Sequence, residues 1–194
     1  TDNDNAGISV SLSSDGSIVA IGAYGNSTSA GTCHVYQRDT NVTAGWSQLG
    51  GDLDGTVNGD RTGYSVSLSS DGSIVAVGAY YHDTGKGTVR VYQRDVTNTT
   101  VAPIGWSQLG NDIDGLYNHE NSGFSVSLSS DGSIVAIGAI MHSSIQGTAR
   151  VYQRDITNTT VAPIGWSQLG NDIDGGATSD YFGWSVSLSL DGSI

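Results

Sequence analysis

The chain has 194 residues, among them 28 Gly, 2 Pro and a single Cys, and carries a net charge of −12. That length can bury one ordinary core, and a strongly acidic chain whose Arg38, Arg94 and Arg154 recur singly has no basic stripe to hold a nucleic acid. No apolar run approaches the ~18 residues of a membrane-spanning helix, and helix formers are scarce, Lys86, Glu120 and Met141 each being the one residue of its kind.

The first predicted element opens at Gly7, and nearly the same text opens again at Gly63, Gly123 and Gly183. The spacings are 63 − 7 = 56, 123 − 63 = 60 and 183 − 123 = 60. The short first spacing has one cause: "DTNVTAGW" at 39–46 lacks four residues present in "DVTNTTVAPIGW" at 95–106. A long fixed period is the signature of stacked or radial repeats. The units run 7–62, 63–122 and 123–182, with a partial unit at 183–194, and residues 1–194 are read as part of one repeat domain.

Within the third unit, "FSVSLSS" alternates, with Phe124, Val126 and Leu128 on one face and serines on the other. Asp131-Gly132 then signals a tight turn. "SIVAIGA" is apolar almost throughout and suits a strand buried on both faces. "GTARVYQRD" alternates again, and the short "GWSQLG" carries one large anchor, Trp166. Four antiparallel strands per unit of about 60 residues fit an all-β fold of β-propeller blades. A β-solenoid or an open repeat array is the alternative. The chain begins and ends inside a unit, so blade packing is expected to continue past both ends, in a longer repeat protein or through neighbouring copies.

"GFSVSLSSDGSIVAIGA" resembles the FG-GAP repeat of integrin α-chain-type propellers. The first signature falls at Gly63-Tyr64, Gly123-Phe124 and Gly183-Trp184, with Phe182-Gly183 a literal match. The second falls at Gly22-Ala23, Gly78-Ala79 and Gly138-Ala139, without its proline. The resemblance implies propeller blades. It does not bring the family's calcium loop, because only "SSDGS" stands at that place, too poor in oxygen donors to surround Ca²⁺.

A second acidic loop precedes each unit: Asp52, Asp54 and Asp60; Asp112, Asp114 and Glu120; Asp172, Asp174 and Asp180. Asp and Asn stabilise turns by binding nearby N–H groups, and that structural reading comes first. Three carboxylates with backbone carbonyls could also hold Ca²⁺, although the spacing is not that of an EF-hand. Sequons at Asn26, Asn41, Asn98 and Asn158 are glycosylation candidates if the chain is secreted.

The segment between the second and third strands varies most: Tyr24, then Tyr80, Tyr81 and His82, then Met141 and His142 are binding candidates in these loops. His34, His82, His119 and His142 lack metal-ligand spacing in sequence, and no nucleophile motif is present. Cys33 fills a strand position taken by Val89 and Ala149 elsewhere, as a small buried residue. The expectation is a non-catalytic protein, extracellular or at the cell surface, acting in adhesion or structural display. The alternatives are a subunit of an extracellular fibre or matrix and a glycan-binding, lectin-like propeller. Expected partners are protein, glycan or further copies of the chain, with no membrane insertion in this segment and no cofactor other than Ca²⁺.

Overall fold

The computed structural model describes residues 4–25, 30–39 and 45–192. The first unit contributes β1 (Ala6–Leu12), β2 (Ile18–Ala23), β3 (Thr32–Arg38), β4 (Trp46–Gln48) and β5 (Leu53–Asp54). The second contributes β6 (Thr62–Leu68), β7 (Ile74–Ala79), β8 (Thr88–Arg94), β9 (Trp106–Gln108) and β10 (Ile113–Asp114). The third contributes β11 (Ser122–Leu128), β12 (Ile134–Ala139), β13 (Thr148–Arg154), β14 (Trp166–Gln168) and β15 (Ile173–Asp174). Each unit is one antiparallel sheet in chain order. The protein is thus an all-β repeat of three four-stranded sheets.

The fourth strand departs from expectation by arriving in two pieces. β9 pairs with Tyr92–Arg94 and β10 with Thr88–Val89, and between the two pieces Leu109 N donates to Val91 O at 2.8 Å. The variable segment also holds a tight turn, His82–Gly85 in the second unit and His142–Ile145 in the third, whose central residues have left-handed backbones.

Neighbouring sheets share their cores. Val75 and Val77 of β7 pack with Ala20, Cys33 and Val35 of the first unit. Ile74 and Ala76, alternating with them, pack with Val135 and Ile137 of the third. Successive side chains of a strand point to opposite faces, so a strand sandwiched between two sheets must be apolar throughout. Each fully buried Val contributes about 1.5–3 kcal/mol of transfer free energy. Burial pushes the Cys33 thiol up to about 12.

The serines of the first strands have a different task from simple economy of space. Ser9 Oγ donates to Gly63 O at 2.9 Å, and Ser65 Oγ to Gly123 O and Ser125 Oγ to Gly183 O, both at 2.8 Å. Ser11 Oγ accepts from Leu68 N and Ser67 Oγ from Leu128 N, both at 2.9 Å, and Ser127 Oγ from Leu188 N at 3.0 Å. The polar face of each first strand is therefore satisfied by the next unit. The aligned glycine makes this contact possible. Gly63 sits at a β-bulge with φ 82°, and a Cβ on Gly22 would overlap its carbonyl oxygen. Only glycine at both positions allows the two units to approach so closely.

Candidate functional site

The loops after β7 and β12 and the acidic loops before β6 and β11 meet at one end of the sheets. Tyr81 N donates to Asp60 O at 3.2 Å and Met141 N to Glu120 O at 3.0 Å. The third carboxylate of each acidic loop is a turn anchor. Asp60 Oδ2 accepts from Thr56 N and Val57 N, both at 3.0 Å; Glu120 Oε1 accepts from Leu116 N at 2.6 Å and Asp180 Oδ2 from Ala177 N at 2.7 Å. Asp60 and Glu120 are buried, so each also needs hydrogen bonding to its second carboxylate oxygen.

Two partners supply it. His82 Nδ1 lies 3.0 Å from Asp60 Oδ1 and His142 Nδ1 lies 3.0 Å from Glu120 Oε2. Arg150 grips both oxygens of Glu120, Nη1 to Oε1 at 2.6 Å and Nη2 to Oε2 at 3.1 Å, and donates from Nε to Asp172 Oδ2 at 2.8 Å. Burial would lower the Arg150 pKa, and Glu120 and Asp172 outweigh it, raising the guanidinium above the ordinary arginine range. Burial likewise pushes the Asp172 carboxyl up, and hydrogen bonds from Gln168 and Arg150 more than offset this, leaving it below the usual range.

The second unit repeats the arrangement with one methylene fewer. Arg90 Nε donates to Asp112 Oδ2 at 2.8 Å and Nη2 to Thr56 Oγ1 at 3.3 Å. The shorter Asp60 does not reach Arg90 Nη1, which is buried without a partner. In the first unit His34 stands at the arginine position and meets Asp52 at 3.0 Å.

Among the described residues, the clusters with ligand atoms close enough for one ion are not drawn from a single acidic loop. Instead His82 groups with Asp112 and Asp114, and His142 with Asp172 and Asp174, with one possible ligand atom from each residue within 4.8 Å of the others. Spacing in sequence did not reveal these clusters because their members come from loops about 30 residues apart. Asp112 and Asp172 already hold an arginine, which supplies the positive charge an ion would bring. Arg90 and Arg150 were not singled out from the sequence. Their signal is the alternation of "GTARVYQRD", which sets a charged residue on the inward face between Thr148 and Tyr152.

Asn98 and Asn158 hold the loop that precedes the Trp strand. Asn98 Nδ2 donates to Val101 O, Pro103 O and Trp106 O at 2.8, 3.1 and 2.7 Å, and Asn158 repeats all three bonds. A glycan would occupy this same nitrogen and displace those bonds. Asn26 and Asn41 lie outside the described residues.

The binding candidates divide by exposure. Tyr81 and Met141 are exposed, while Tyr24, Tyr80, His82 and His142 are half-buried; Tyr24 also heads a row of touching rings with Tyr64, Phe124 and Trp184, with centroids 5.4, 4.8 and 4.9 Å apart. Tyr80 sits against Tyr64 at 4.5 Å. Among the described residues no helix is long and apolar enough to cross a membrane.

No protein-family model and no curated protein matches this sequence. The fold is similar to those of several solved proteins. They include hydrazine synthase of Kuenenia stuttgartiensis (TM-score 0.57, 14% identity, 94% of this chain and 53% of that one). They also include Sqt1 of Saccharomyces cerevisiae (0.53, 14%, 92% and 37%) and TolB of Acinetobacter baumannii (0.50, 17%, 99% and 37%). The likeness is to β-propeller and β-sheet repeat proteins, and at these identities it concerns the fold alone. The chain spans between about a third and about half of the length of these proteins.

Proposed function

We propose that the chain is part of a non-catalytic display protein of the β-propeller type, akin to FG-GAP proteins, that binds a protein or glycan outside the cell through its loop end. One observation carries this reading. The loops of the second and third units share a backbone, with Asp83 and Thr84 at φ 48° and 58° and Ser143 and Ser144 at 46° and 60°, yet they present different side chains. A fixed frame with exchangeable side chains is the layout of a binding surface. Non-glycine residues held in left-handed conformations cluster at ligand sites.

The test is a loop exchange. Replacing residues 80–86 by the sequence of 140–146 should alter binding to immobilised extracellular-matrix proteins and leave the melting temperature within a few degrees. Binding that is indifferent to the exchange would count against the loop end.

A further inference from the structure

The break in the fourth strand opens a cleft at the outer edge of each junction between units. Between the first and second units a cavity of about 690 Å³ is bounded by Asp54 and Thr56 on one side and Tyr92, Val101, Pro103 and Gln108 on the other. Between the second and third units a cavity of about 520 Å³ is bounded by Leu116 on one side and Tyr152, Val161, Pro163 and Gln168 on the other. Both volumes fall in the range of small-molecule sites, roughly 300–1,000 Å³. The lining of the later unit recurs at an offset of 60 residues, and residues 97–115 and 157–175 are identical.

The wall of each cleft is built rather than incidental. Asp95 Oδ1 accepts from Thr97 N and Oγ1, and Oδ2 from Ser107 Oγ; Asp155 repeats these bonds. With the Asn98 and Asn158 clamps, the loop stands fixed before any ligand arrives. Preorganisation of this kind lowers the cost of binding.

Each cleft is also lined by a tyrosine. Tyr92 and Tyr152 are 6% and 4% exposed, with their rings in the shared cores. Neither hydroxyl has a hydrogen-bond partner among the described residues, and neither belongs to the fully sealed orphan atoms. A buried tyrosine hydroxyl ordinarily finds a partner. Burial pushes both up to about 12, so each is a protonated donor at neutral pH.

Charge does not describe what the clefts share. The first is lined by Asp52, Asp54, Asp95 and Asp112 against Arg90, whereas Asp155 is the one charged group lining the second. The common set is a tyrosine hydroxyl, a glutamine, a serine and an aspartate facing a Val and Pro wall. A ligand that fits both needs hydroxyls along its edge and C–H groups on its face.

We propose that the two clefts are one saccharide site repeated, each taking a neutral sugar residue. The Tyr92 and Tyr152 hydroxyls donate to the sugar oxygens, and Val101 and Val161 cover its apolar face. The sites are independent of the loop end and of the reading built on it. A glycan long enough to reach both would gain avidity without new contacts.

The experiment uses an array bearing neutral oligosaccharides, acidic oligosaccharides and lysine-rich peptides. The expected result is retention on neutral oligosaccharides that falls at least tenfold in the Y92F/Y152F double variant, two lost hydrogen bonds being worth about that factor or more. Val101 and Val161 are each 68% exposed, so V101K/V161K should fold normally and also abolish retention, which decides the matter if the tyrosine variants unfold. Exchange of residues 80–86 should leave this retention unchanged. Absence of retention on any neutral oligosaccharide, retention on acidic sugars or lysine-rich peptides alone, or indifference to V101K/V161K would overturn the proposal.

Discussion

Trp106 donates its indole N–H to the carbonyl of Leu49, 57 residues earlier and one unit back, at 2.9 Å. Trp166 makes the same bond to Leu109 at 2.8 Å. β9 and β14 are thus each tied to the preceding sheet by their largest side chain. Trp106 and Trp166 are 1% exposed, whereas Trp46 is 46% and Trp184 59% exposed. Acrylamide should quench the fluorescence of the latter two and spare the former. Trp106→Phe should cost about 2–4 kcal/mol through lost packing and a bare carbonyl, and Trp46→Phe should cost under about 1 kcal/mol. Equal losses in urea unfolding would contradict this asymmetry.

Asp60 and Glu120 offer a reciprocal test. Asp60→Glu should give Arg90 Nη1 the partner that Arg150 Nη1 has, raising stability by about 1 kcal/mol. Glu120→Asp should lower it by about 1–3 kcal/mol, because a buried guanidinium loses its acceptor. Denaturant midpoints of the two variants should therefore move in opposite directions.

Acid should weaken the fold through its turns. Hydrogen bonds from the Ser17 N–H and from Ser13 and Ser17 hold Asp15 at about 2, and bonds from Thr97 and Ser107 hold Asp95 at about 2. The unfolded value is near 3.9. A depressed folded pKa contributes stability that is present above the unfolded value and lost as pH falls through the folded one. Stability should decline between about pH 4 and pH 2, and a D15N/D95N variant should show a shallower decline in that window.

Chelation bears on the histidine clusters. With Asp112 and Asp172 held by arginines, EDTA should leave the melting temperature unchanged. A fall of several degrees that added Ca²⁺ or Zn²⁺ reverses would place His82, Asp112 and Asp114 around an ion.

The architecture was largely legible in the sequence because it rests on local periodicity. Alternate serines marked the first strand, and the unbroken "SIVAIGA" marked the second. Those signals hold because β7 has a sheet on each side and β6 binds the next unit through Ser65 and Ser67. The site was less legible. Arg90 finds Asp112 and Thr56 at 22 and 34 residues' distance, and His82 joins an acidic pair from the following loop. Such partners are set by the stacking of units, which no local window contains. The split of the fourth strand escaped notice because "GWSQLG" and "NDID" read as one strand and its loop.

The serine contacts between first strands have an evolutionary corollary. Each junction uses the same donors and acceptors, so a unit copied whole meets neighbours that already fit it. Gain or loss of a full repeat leaves every surviving junction intact, whereas a single-residue slip in β6 would turn Ser65 and Ser67 away from their acceptors. Such a gene is free to change its number of strands only in whole-unit steps, and the four-residue shortfall of the first unit falls between β3 and β4.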